Sequence, residues 1–154
     1  MTKILTTRRK VILGGSALLA SLATPVQAKR LDIKSLKPIF KNLFGNRPFE
    51  PGRIILDVPL IAEDGSRVII TIKVDSPMTN KDYVKALHFF AEENPNPRVA
   101  SYNFNPGFAA PEVTFQFRLA KSQWVTGVAE MSDGSLHMER KRIKVTIGGC
   151  GGAN

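Results

Sequence analysis

The sequence predicts an all-β protein: an immunoglobulin-like antiparallel β-sandwich of about seven strands, with a short N-terminal helix and a flexible C-terminal arm. Three observations predict it. Between positions 54 and 147, short β-branched or alternating runs recur, separated by Pro, Gly, Asn and Asp clusters. One amphipathic stripe precedes them. After them comes Gly148-Gly149-Cys150-Gly151-Gly152-Ala153-Asn154, which holds the only cysteine in the chain.

The stripe runs from Leu31 to Leu43. Leu31, Ile33, Leu36, Ile39, Phe40, Leu43 and Phe44 recur at spacings of one to three, with lysines at 34, 37 and 41 between them. That is the spacing of one apolar helix face. Pro38 interrupts it, so two short turns are an alternative. The face serves either packing or a partner. Asn46-Arg47-Pro48 and Glu50-Pro51-Gly52 then break the chain.

The strands follow. Ile54 to Val58 is the first, and Ala62 to Ser66 reads as a turn. Arg67 to Val74 is strongly β-branched. Asp75 to Asp82 is a loop. Tyr83 to Ala91 admits both helix and strand; the turn spacing of a sandwich selects strand. Asn94-Pro95-Asn96-Pro97 is a rigid turn, after which Val99 to Asn105 alternates. Val113, Phe115, Phe117 and Leu119 fall on one face of the next strand. Gln123 to Met131 is another, Asp133-Gly134 is a hairpin signal, and Leu136 to Ile147 runs into the glycine arm. The Cys-Trp-Cys core of antibody domains is missing, and Trp124 reads as a core or rim residue.

Residues 1–28 read as an export signal rather than as fold. Arg8-Arg9 is the pair of a twin-arginine signal, Val11 to Leu22 is apolar but diluted by Gly14, Gly15 and Ser16, and Val26-Gln27-Ala28 suits cleavage. The apolar stretch is too short to span a membrane, although an uncleaved anchor is the alternative. Such signals are read by a receptor and lead to the bacterial periplasm or to the outside of the cell. The expected organisation is a signal (1–28), a helix-plus-sandwich domain (29–147) and a cysteine arm (148–154).

Charge excludes little but weakens one class. The chain carries 22 Lys+Arg against 13 Asp+Glu, a net +9. Four of the basic residues (Lys3, Arg8, Arg9 and Lys10) lie in the signal, which leaves 18 against 13, or +5, for the rest. That excess makes no case for nucleic acid, and no second apolar stretch is long enough for a membrane. A basic run, Arg140-Lys141-Arg142 with Lys144, precedes the arm. It reads either as a solvated strand face or as a positive field near an anionic group on Cys150.

Cys150 has no internal partner, and an odd cysteine in an exported chain points to intermolecular pairing or to a reactive thiol. Flanking glycines lack Cβ atoms, so Gly148, Gly149, Gly151 and Gly152 give the sulfur reach and access to narrow spaces. From Thr146 to Cys150 the extended chain spans about 13–14 Å. An exposed thiol has a pKa near 8.5, so about a few per cent is thiolate at neutral pH. His88 and His137 lie on different strands without ligand spacing and read as structural, so no metal site is expected. Glu92-Glu93 reads as solvated surface. No Ser/His/Asp set, phosphate loop or paired carboxylates are visible, so no catalytic residue is expected.

The chain from residue 29 onward resembles the SoxY family, the carrier subunit of the sulfur-oxidation system. The resemblance rests on the glycine-flanked Cys150 together with Val74-Asp75-Ser76-Pro77-Met78, Asn94-Pro95-Asn96-Pro97, Met131-Ser132-Asp133-Gly134 and Ile143-Lys144-Val145-Thr146-Ile147. It implies a non-enzymatic carrier without a cofactor of its own. Cys150 would be the covalent attachment site for sulfur intermediates of thiosulfate oxidation. Implied partners are a SoxZ-like β-sandwich subunit in a heterodimer, a haem-containing enzyme that conjugates thiosulfate, and a dimanganese hydrolase that releases sulfate. In some organisms a sulfane dehydrogenase, containing molybdenum and haem, joins them. Two other classes compete: a thiol-redox protein, which ordinarily needs a second, resolving cysteine, and a structural interaction sandwich, which needs no thiol.

Overall fold

A computed structural model describes residues 35–147. The expected signal, the first part of the amphipathic stripe and the cysteine arm lie outside the described residues. The stripe's remainder forms one helix, α1 (Lys37–Phe44). Pro38 starts this helix instead of interrupting it: it sits in the first turn, where a missing N–H removes no helical hydrogen bond. Gly45 ends it at φ 66°, its N–H donating to Lys41 O at 3.0 Å.

Nine strands follow among the described residues: β1 (Phe49–Glu50), β2 (Ile54–Asp57), β3 (Ile61–Asp64), β4 (Val68–Val74), β5 (Val84–Ala91), β6 (Arg98–Asn103), β7 (Glu112–Phe117), β8 (Gln123–Met131) and β9 (Leu136–Ile147). The larger sheet has the order β1-β9-β8-β5-β6, with β3 also on β9; the smaller has the order β2-β4-β7. The β-sandwich predicted from sequence is therefore present, with two additions. The short β1 was not expected, and the segment read as a turn at 62–66 is partly β3. Both pair parallel to β9, along the same edge. All other ladders are antiparallel. Val84 to Ala91 is a strand, as the turn spacing indicated for the segment from Tyr83.

Alternation puts two cores on the larger sheet. Leu87, Phe89, Val125, Ala129 and Ile143 face inward against Leu56, Ile70, Ile72 and Phe117 of the smaller sheet. Phe90, Val128 and Leu136 face outward and are covered by Leu36, Phe40 and Phe44. Phe40 meets the rings of Phe44, Phe49 and Phe90 at 5.4, 5.2 and 4.9 Å. β5 is thus buried on both faces, which is why its sequence shows no clean alternation and reads ambiguously. Between β8 and β9, Gly134 takes φ 87° and donates to Met131 O at 3.0 Å, closing the predicted hairpin.

Candidate functional site

The candidate site is built at the far end of β9, the longest strand among the described residues, whose last residue, Ile147, is three positions before Cys150 in sequence. Cys150 and its flanking Gly148, Gly149, Gly151 and Gly152 lie outside the described residues, as do Arg8 and Arg9. What the structure defines is the root that precedes the arm in the chain. That root is held on both sides. Ile147 O accepts from Gly65 N at 2.7 Å, and Thr146 Oγ1 donates to Glu63 O at 2.7 Å. Opposite, Val145 N donates to Ser122 Oγ at 2.9 Å, and that hydroxyl returns to Val145 O at 3.2 Å. β3, missed in the sequence, is one of the two clamps. Its Ile61-Ala62-Glu63-Asp64 run is too short and acidic to signal a strand, and it pairs only because β9 offers an open edge.

The basic run before the arm does not form one patch. Successive residues of a strand point to opposite faces. Lys141 faces inward, where its Nζ donates to Leu56 O at 2.5 Å and lies 3.3 Å from Glu139. Glu139 in turn accepts from Leu56 N. These two side chains close the free edge of β2. Arg140 faces outward and is neutralised by Glu92, with Nε to Oε1 and Nη2 to Oε2 both at 2.6 Å. Glu92 is buried, not solvated surface as the sequence suggested, and Thr126 Oγ1 donates to it at 3.0 Å. Trp124 sits at the rim, 37% exposed, with the Arg140 guanidinium 4.4 Å from its ring centroid. Of the run, only Arg142 and Lys144 stay exposed on the outward face.

The two histidines are structural in position. His88 is paired with Val128 across the outward face beneath α1, whereas His137 is paired with Ala129 on the inward face. They lie on opposite sides of one sheet and cannot share an ion. Among the described residues no group of three His, Cys, Asp or Glu side chains could hold a metal. A shallow hollow of about 190 Å³ on the smaller sheet, lined by Asp57, Val58, Pro59, Ile69, Ile70 and Thr71, contains no nucleophile–base pair. No helix among the described residues is long and apolar enough to cross a membrane.

The sequence model of the family described as "Sulfur oxidation protein SoxY" matches residues 40–150, a span that ends on Cys150. The chain belongs to the SoxY family. The solved structure of the sulfur carrier protein SoxY from Chlorobium limicola f thiosulfatophilum is similar at 29% identity and TM-score 0.63, over 74% of this chain and 98% of that one. A superoxide reductase (neelaredoxin) from Ignicoccus hospitalis matches at 26% identity and TM-score 0.53, over 61% and 80% of the two chains. The superoxide reductase from Nanoarchaeum equitans shares the fold alone, at 14% identity and TM-score 0.51 over 62% and 98%. No curated protein matches the sequence. As a SoxY protein the chain is a sulfur-oxidation carrier rather than a catalyst.

Proposed function

We propose that this SoxY protein holds the sulfur intermediates of thiosulfate oxidation covalently on Cys150 and presents them to separate enzymes. The observation that carries the reading is the join between body and arm. A clamped strand ends at Ile147, and the family match runs through Gly148 and Gly149 onto the one thiol of the chain. A fixed root and glycine flanks suit delivery into narrow sites, because the body stays outside while the sulfur reaches in.

The chemistry balances on this thiol. Conjugation joins Cys150 Sγ to the outer sulfur of thiosulfate, giving a cysteine S-thiosulfonate. One proton and two electrons leave, the electrons passing to a haem-containing partner. Hydrolysis then adds water at the sulfonate sulfur, releases sulfate and two protons, and leaves a persulfide anion on Cys150. That hydrolysis belongs to a dimanganese partner. Where a sulfane dehydrogenase exists, it oxidises the remaining sulfur for a second hydrolysis. Only a cysteine offers both the nucleophile and the disulfide-like linkage. The same reading includes twin-arginine export to the periplasm, directed by Arg8 and Arg9, and a heterodimer with a SoxZ-like sandwich.

Cys150→Ser tests it. Thiosulfate-dependent electron release in a reconstituted system should vanish, and the intact mass from thiosulfate-grown cells should lose its sulfur adducts. Full turnover by the variant would overturn the carrier role and favour a structural sandwich.

A further inference from the structure

We propose that His88 is an acid-sensitive latch for α1, whose protonation loosens the helix from the outward face of the larger sheet and uncovers Phe90, Val128 and Leu136. The inference is independent of the cysteine chemistry and rests on a directed chain of hydrogen bonds. Arg98 Nε and Nη2 both donate to Ser101 Oγ, at 3.1 and 3.0 Å. Arginine only donates, so Ser101 Oγ accepts from Arg98 and has one proton of its own to give. In the closed latch that proton goes to His88 Nδ1, 2.9 Å away, with the imidazole neutral.

The ring is also part of the helix seat. Its centroid is 5.3 Å from that of Phe44, edge to face, and His88 is buried. A proton arriving at Nδ1 would break the hydrogen bond received from Ser101, place a cation on the ring that Arg98 repels, and desolvate that cation beneath Phe44. The charged groups facing the ring come from each neighbouring strand and from the helix end. Arg98 on β6 opposes protonation and Glu130 on β8 favours it. Glu130 is already engaged by Arg47, just past α1, at 3.0 Å and by Lys85 on β5 at 3.5 Å. Burial, then Arg98, push the His88 pKa below its ordinary value, against the smaller pull of Glu130. The sign follows: the neutral latch is fully closed above the ordinary histidine pKa, and it weakens as pH falls below that value.

Amide exchange on the full chain between pH 7.5 and 5, expressed as protection relative to intrinsic exchange at each pH, tests the latch. Protection of α1 should fall several-fold more than that of β4 as pH drops, and His88→Gln should lose this difference. In Arg98→Gln the His88 ring titration, followed by NMR, should move to higher pH. The latch is overturned if α1 protection stays flat, if α1 and β4 lose protection together, or if the His88→Gln helix remains equally pH-sensitive. Should that variant not fold, an unshifted ring titration in Arg98→Gln overturns it alone.

Discussion

Arg140 and Glu92 meet through two parallel hydrogen bonds of 2.6 Å on a sheet face, with side chains only 13% and 6% exposed. The pair joins β9 to the end of β5 across the whole width of β8. It lies beside the aromatic seat of α1, where the apolar cover ends. Two-point geometry, plus the third bond from Thr126, compensates both desolvated charges.

Removing one partner should therefore cost far more than removing both. Glu92→Ala leaves a guanidinium against Trp124 without its counter-charge, a loss of about 3–5 kcal/mol for a buried pair. The Glu92→Met, Arg140→Met double variant should recover most of that. Urea unfolding measures both. Trp124 is the only tryptophan in the chain, so its emission reports the change locally, shifting in Arg140→Met while staying unchanged in the distant Lys73→Met.

Much of this fold was legible because β4 and β7 have one buried and one open face and so alternate in sequence. Other features, the short β1 among them, were not. β3 depends on an open edge of β9, a long-range circumstance that four residues cannot encode. Glu92 reads as surface because its partner lies 48 positions away. The basic run reads as one patch because a linear string hides the two faces of a strand; pairing divides it into an edge clasp, a neutralised ion pair and two exposed cations. The reading of the thiol and its glycines, by contrast, rests on composition and order rather than on packing, and these residues lie outside the described structure.

Phe40 anchors α1 by touching three aromatic rings. Phe40→Ala should cost about 3–5 kcal/mol if helix and sandwich unfold together. A smaller loss in urea, accompanied by selective exchange of α1 amides, would show that the helix undocks alone. The two results separate one cooperative unit from two.

Gly127 lies where the sheets approach each other. A Cβ there would sit 3.2 Å from Ile54 Cδ1 and 3.7 Å from Leu56 Cδ1. The Ile54 contact is the end of a side chain and can shift by a few tenths of an ångström. Gly127→Ala should thus change stability by about 1 kcal/mol or less, with the lower backbone entropy of the unfolded chain offsetting the crowding. Gly127→Leu has nowhere to go and should destabilise by about 1–3 kcal/mol or more, as overpacked cores do. Thermal melts of the two variants check the contrast.

Glu130 should contribute an acid limb to stability. Burial works to raise its pKa, but the hydrogen bond and charge of Arg47, with those of Lys85, outweigh it, and the result lies below the ordinary value of 4.5. A depressed carboxylate pKa means that the folded state binds fewer protons than the unfolded one. The stabilisation is therefore complete above pH 4.5 and disappears as pH falls through the lowered value. Glu130→Gln should be less stable than wild type at pH 6, and the gap should narrow toward pH 3. Arg47→Gln should flatten the same limb, since it removes the main cause of the shift. Urea midpoints at both pH values measure this; a gap that stays constant would mean that Glu130 acts through packing and not through its charge.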